Sequence, residues 1–175
     1  MRRRMAADAV NAYAPVGGVV VDFLPGRGEV GAAARAAGRR AITLPAVSAC
    51  EGRRHLAALS REEGSADLAL ALPSAMALAT TRARPLSSLA GRVLAGQAAT
   101  LLRQGGYLIV GSLGPKRSGA DPITGAVAAI TAQGFVYFQH VVVLLRSDRK
   151  DNQAGVADGR AVSHADLLVF ERRPV

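Results

Sequence analysis

The densest chemical pattern in the chain is a carboxylate, Asp22, followed four and six residues later by Gly26 and Gly28. Asp22 closes the apolar run Gly18-Val19-Val20-Val21, and the turn Pro25-Gly26-Arg27-Gly28 comes after it. A carboxylate at a strand end can hold the cationic amino-acid end of a ligand, and glycines let the backbone approach that ligand where a Cβ would block it. The stretch from Gly26 to Gly31 also satisfies G-x-G-x-x-G, the fingerprint of dinucleotide binding. That site, however, needs its first glycine directly on the strand and an acidic residue about 20 positions later to hold the ribose. Here three residues separate Asp22 from Gly26, and the second strand ends in Leu44-Pro45, with no carboxylate. A ligand without a pyrophosphate fits this turn better, and a purely structural strand-to-helix turn is the alternative.

Other candidate chemistry is sparse. Ser74, in Leu72-Pro73-Ser74-Ala75, offers a hydroxyl as an acceptor, although serine after proline serves more often as a turn or N-cap residue. His55, His140 and His164 are far apart, and none pairs with a cysteine or carboxylate at metal-ligand spacing, so no metal site is expected and core or surface roles fit them better. A nucleophile turn of the type G-x-S-x-G is missing. Cys50 is the only cysteine, which excludes an intramolecular disulfide and a cysteine-based zinc cluster and suits a reducing compartment. The Glu62-Glu63 pair is most simply a solvated turn.

The elements that must position Asp22 can be read from apolar runs and their punctuation. Residues 18–24 have the content of a buried parallel strand, and residues 29–37 are good helix formers with Glu29 in the first turn and Gly38 as a stop. Short strands are expected over 41–44 and 67–72, with a helix over 53–60 and a charged turn over 61–65 between them. A long amphipathic helix is expected from Pro85 to Arg103, stopped by Gly105-Gly106, then a strand over 107–110 and a helix over 121–132 stopped by Gly134. Residues 135–145 and 167–170 read as the last strands, and 146–163 as a polar loop or hairpin tip between them. The alternation predicts an α/β fold with a Rossmann-like sheet, mostly parallel with an antiparallel closing strand and helices on both faces. Residues 1–16 are expected to form a basic arm or lead-in helix, and 17–175 a single domain.

The segment from Val20 to Gly31 resembles the first motif of the S-adenosylmethionine-dependent methyltransferases. Together with Gly38-Arg39-Arg40-Ala41-Ile42-Thr43 it is most similar to the Asp-Pro-x-x-Gly-x-Gly-Thr segment of the N6-adenine and N4-cytosine DNA methylases. Further on, Leu101-Leu102-Arg103-Gln104-Gly105-Gly106-Tyr107 and the run from His164 to Arg172 are similar to the Gly-Gly turn and the last strand of these enzymes. The resemblance extends from Gly17 onward. It implies S-adenosylmethionine as the cofactor, with Asp22, Phe23, Gly26 and Gly28 at its site. It also implies a catalytic Asp/Asn/Ser-Pro-Pro-Tyr/Phe loop, in which the polar residue accepts hydrogens from the target amine and the aromatic ring stacks on the flipped base.

This chain departs from that loop. Leu72 cannot accept a hydrogen bond and Ala75 cannot stack, which leaves Pro73 and Ser74 as the nearest catalytic candidates. The ribose-holding carboxylate at the end of the second strand is replaced by Leu44-Pro45, with Glu51 the one nearby carboxylate that can compensate. About 20 residues separate Pro45 from Asp67, room for a helix or a strand of the usual pair but hardly both. A degenerate catalytic motif and an eroded cofactor pocket are therefore expected. Two functions fit: an S-adenosylmethionine-dependent methyltransferase acting on nucleic acid, or a catalytically inactive module of the same fold that binds nucleic acid or a protein partner.

Composition bounds these readings. The chain has 175 residues, half of them hydrophobic, enough for one ordinary core. No apolar run reaches the ~18 residues of a spanning helix, so no membrane association is expected. Met1-Arg2-Arg3-Arg4 looks like the start of a secretion signal, but Asp8, Asn11 and Pro15 prevent an apolar run from developing after it, and a cytoplasmic location is expected. The net charge of +9 is carried almost entirely by arginine, the only lysines being Lys116 and Lys150. An arginine-rich surface favours contact with DNA or RNA phosphates, while a GC-rich genome would produce the same bias without a polyanion in view. Aromatic residues make up 4% and tryptophan is missing, so platforms for stacking single-stranded bases are few.

Overall fold

A computed structural model describes residues 2–24, 28–44, 63–72, 88–112, 122–144 and 164–173. Within them the chain forms α1 (Arg2–Tyr13), β1 (Val19–Asp22), α2 (Glu29–Ala36), β2 (Arg40–Thr43) and β3 (Ala66–Ala71). These are followed by α3 (Ser88–Leu101), β4 (Leu102–Ser112), α4 (Pro122–Thr131), β5 (Phe135–Leu144) and β6 (His164–Arg172). The sheet order is β2-β1-β3-β4-β6-β5, with β2, β1, β3 and β4 mutually parallel and β6 antiparallel to both β4 and β5. The Rossmann-like sheet expected from the alternation of strands and helices is present, mostly parallel and closed by antiparallel pairs.

All six residues of β3 are buried, because helices cover both faces of a central parallel strand, and its one polar residue, Asp67, is buried with hydrogen-bond partners. The period-two alternation of strand side chains then divides the interior into two cores. Val21, Ala69, Ala71, Leu108, Val110, Leu168 and Phe170 pack with Ala95, Ala98 and Leu101 of α3 and with Ala126 and Ile130 of α4. Val20, Leu68, Leu70, Ile109, Leu167 and Val169 pack with Met5, Ala6, Ala9 and Val10 of α1 and with Val30, Ala33 and Ala34 of α2. At the foot of α1 the Tyr13 ring lies 5.2 Å from that of Tyr107, and Gln139 donates to the Tyr13 hydroxyl. No described helix is long and apolar enough to cross a membrane.

The junction of α3 and β4 differs from the sequence reading. The helix stops at Leu101 instead of Arg103, and the strand starts at Leu102 instead of Tyr107. Asp67, 8% exposed, decides this boundary. One of its carboxylate oxygens accepts the Val19 N–H at 2.8 Å, and the other accepts Nε–H of Arg103 at 2.7 Å. That pair draws Arg103 out of the helix and beside β3, where Leu102 is in register with Ala66. The register then shifts before Tyr107 meets Leu68. Gly105 takes up the irregularity with φ of 72°, and Gly106 sits where a Cβ would come within 2.9 Å of the Arg103 carbonyl. The glycine pair is thus a break within a strand, not a helix stop. The last strand also exceeds the expected 167–170, running the whole length from His164 to Arg172. The helix expected over 53–60 and the loop expected over 146–163 lie outside the described residues.

Candidate active site

β1 lies between β2 on one side and β3 on the other, so the strand order reverses direction at β1. In open α/β sheets the crevice at the carboxyl ends of strands flanking such a reversal is where ligands bind. Asp22 is the last residue of β1, placed at that crevice and only 1% exposed. Its backbone is held from both sides: its carbonyl accepts the Leu44 N–H at 3.0 Å, and the next residue, Phe23, donates its N–H to the Leu70 carbonyl at 2.9 Å. The carboxylate accepts the Leu24 N–H at 3.2 Å, which turns the chain out of the strand. Phe23 itself is 7% exposed and packs in the core with Val21 and Leu44, so the ring anchors the strand end.

The described chain resumes at Gly28, the N-cap of α2. Its φ and ψ are 74° and 19°, a left-handed conformation that costs other L-residues roughly 1–2 kcal/mol. Among the described residues nothing lies within 4 Å of the position a Cβ would take, and none caps the helix through a side-chain hydrogen bond. The amino end of α2, where the helix dipole is positive, follows directly, with Glu29 in its first turn. Asp22 and Gly28 thus flank the turn. Gly26, together with Pro45, Glu51, Pro73, Ser74 and Ala75, lies outside the described residues.

At the end of β2 the side chain of Leu44 is 8% exposed and belongs to the core, so this strand end supplies no carboxylate at that position. Thr43, exposed and in register with Asp22, supplies a hydroxyl at the same strand end. Sequence reading passed over Thr43, and the register between β1 and β2 is the signal that singles it out. After β3, Leu72 is 1% exposed and packs with the α1 and α2 side of the sheet. Its side chain fills the core, which accounts for an apolar residue there.

Two polar pairs lie elsewhere. Asp67 and Arg103 join the opposite, amino-terminal ends of β1, β3 and β4. His140 Nε2 lies 2.9 Å from Asp166 Oδ1 across β5 and β6, a pairing visible only once the two strands are in register. Among the described residues no group of three or more histidine, cysteine, aspartate or glutamate side chains is arranged to hold a metal ion.

No protein-family model and no curated protein matches the chain by sequence. Solved structures match it by shape. An S-adenosylmethionine-dependent methyltransferase from Archaeoglobus fulgidus superposes with a TM-score of 0.57 at 12% identity, covering 97% of this chain and 94% of that one. The chain has the methyltransferase fold. The 1,6-didemethyltoxoflavin-N1-methyltransferase of Burkholderia thailandensis, solved with S-adenosylhomocysteine, gives 0.57 at 17% identity, with 98% and 78% of the two chains covered. A protein-(glutamine-N5) methyltransferase from Alicyclobacillus acidocaldarius gives 0.56 at 13% identity, with 99% and 94% covered. Their named acceptors, a small molecule methylated at N1 and a protein glutamine methylated at N5, belong to different substrate classes. The methyltransferase fold therefore leaves the acceptor open, and only the residues of the site can narrow it.

Proposed function

We propose that this chain is a methyltransferase-type protein that binds S-adenosylmethionine at the turn between β1 and α2. The observation that carries this reading is Asp22, a buried carboxylate at the switch point of a methyltransferase fold, followed by a turn that reaches α2 through a left-handed glycine. The amino-acid end of the donor is a zwitterion. Asp22 would complement its ammonium group, the amino end of α2 its carboxylate, and the missing Cβ of Gly28 keeps a side chain out of the space between them. When bound, the donor supplies a methyl group on a sulfonium centre. Fit is poorer at the ribose, where Leu44 is turned into the core and Thr43 offers one hydroxyl in place of a carboxylate. Binding is therefore expected to be weaker than at a complete site.

For the acceptor, nucleic acid is the class favoured by the charge of +9 and by the resemblance to amino-methylating DNA enzymes. Transfer to a DNA amine is expected to be weak or nil, because Leu72 is committed to the core and Ala75 gives no platform for a flipped base. These two residues favour a second reading, in which the chain keeps the fold as a catalytically inactive module and binds nucleic acid or a protein partner in the cytoplasm.

Gly28→Asn separates space from backbone strain, since asparagine tolerates the left-handed region better than other residues with a side chain. Equilibrium dialysis with radiolabelled S-adenosylmethionine is expected to give saturable binding to the parent and at least ~10-fold weaker binding to this variant, with the fold retained. Equal affinity in both proteins would remove the donor from this turn.

A further inference from the structure

We infer that a cavity at the amino-terminal end of the sheet, between α3, the turn before β5 and the end of β6, binds a phosphate group. The cavity measures about 300 Å3 and is lined by Ala99, Gln104, Gln133, Gly134, Arg172 and Arg173. Ligand pockets run from roughly 300 to 1,000 Å3, so this one suits a small group and not a whole cofactor. Arg172 is in register with Phe135, the first residue of β5, and Glu171 with Tyr107 near the start of β4. Asp22 closes β1 at the other end of the sheet, so the cavity is no part of the candidate donor site.

Every polar side chain lining the cavity can donate. Arginine carries five N–H donors and no acceptor, and a glutamine amide offers two more. Three separate pieces of chain supply them: the irregular start of β4 gives Gln104, the turn after α4 gives Gln133, and the end of β6 with the residue after it gives the two arginines. Arg172 donates through Nη1 to the Leu102 carbonyl, which holds its guanidinium against the start of β4 and occupies one of five donors. Glu171 lines no part of the cavity, and one of its oxygens lies 3.4 Å from Arg173 Nε.

Charge and geometry select the occupant. Arg172 and Arg173 are adjacent in the chain and line one cavity, so each disfavours the charge of the other, and a carboxylate accompanies only Arg173. An anion between them removes that repulsion. Donors arriving from three directions suit a tetrahedral phosphate, whereas a planar carboxylate is satisfied by the fork of one arginine. Two sources share this chemistry: free phosphate or a phosphate monoester, and the phosphodiester backbone of nucleic acid, which the net charge of +9 would attract. The backbone source rests on the nucleic-acid reading above, while the phosphate site depends neither on it nor on donor binding.

Calorimetric titration with inorganic phosphate and fluorescence anisotropy of a labelled DNA duplex, both with the full chain at ~50 mM salt, test the inference, with far-UV circular dichroism to verify folding. Arg172→Gln and Arg173→Gln are each expected to weaken phosphate binding at least ~10-fold. Arg173→Gln decides alone if the loss of the Leu102 contact unfolds the other variant. With the backbone as the source, each also weakens the duplex and lowers the log-log salt slope by about 1, whereas a loss confined to phosphate assigns the site to free phosphate or a monoester. Arg35→Gln removes the same charge from an exposed residue of α2, on the other face of the sheet, and is expected to leave phosphate binding unchanged. A parent that binds neither ligand, or an Arg35→Gln protein weakened equally, would overturn the inference. A parent that holds the duplex as tightly as both variants do, without taking up phosphate, overturns the site and leaves the nucleic-acid reading standing. Phosphate binding lost in the variants of a parent that ignores DNA supports the site and removes that reading.

Discussion

Phe170→Ala should lower folding stability by about 3–5 kcal/mol, the usual cost of removing a large aromatic side chain from a packed interior. Phe170 is 0% exposed and sits on β6, between Leu108 of β4 and Tyr137 of β5, with its ring 5.4 Å from that of Tyr137. The same core includes Ile130 of α4 and Phe135, so the cavity left by alanine would be walled by three strands and a helix and could not easily collapse. In a domain of this size each kcal/mol moves the melting temperature by about 2–4 °C, so a fall of roughly 6–20 °C is expected. Urea and thermal unfolding of parent and variant measure it. A loss below ~1 kcal/mol would mean that β6 is not a packed interior strand.

Asp22→Asn should weaken S-adenosylmethionine binding about 10- to 100-fold, the equivalent of one hydrogen bond to a charged group, worth roughly 1.5–3 kcal/mol. The substitution preserves the size of the side chain and an oxygen able to accept from the Leu24 N–H, so the turn keeps its main local contact. What it removes is the negative charge beside the donor's ammonium group. Calorimetric titration of the folded variant against the parent reads the difference. A variant that binds as tightly as the parent would show that the Asp22 charge has no part in holding the donor.

Much of the scaffold around Asp22 was legible in the sequence because the signals there are local. A strand covered on both faces reads as a nearly continuous apolar run, as β3 does from Leu68 to Ala71, and the stop after α2 is written in Gly38, whose φ is 72°. The candidate site was legible to the same extent: Asp22 closes an apolar run, and Gly28 precedes a run of helix formers. Boundaries set by distant contacts were not legible. The end of α3 depends on the ion pair of Arg103 with Asp67, 36 residues away in the chain, and no propensity within α3 reports it. Thr43 and the His140–Asp166 pair likewise required the strand register. Leu72 appeared in the sequence only as a missing acceptor, whereas its burial gives it a positive role in the core on the α1 and α2 side. An apolar residue at such a position is under packing constraint, and a carboxylate introduced there would have to be buried.

Amide chemical shifts recorded during titration with S-adenosylhomocysteine test most directly whether the donor sits at the turn between β1 and α2. Saturable shifts are expected at Asp22, Leu24, Gly28 and Glu29, with Thr43 joining them from the end of β2. A groove on the same α1 side of the sheet but out at β5, lined by Tyr13, Gln139 and Val141, should show no shift. No shift at ~1 mM ligand, weaker than a functional site would require, or shifts centred on that groove instead, would contradict donor binding at Asp22.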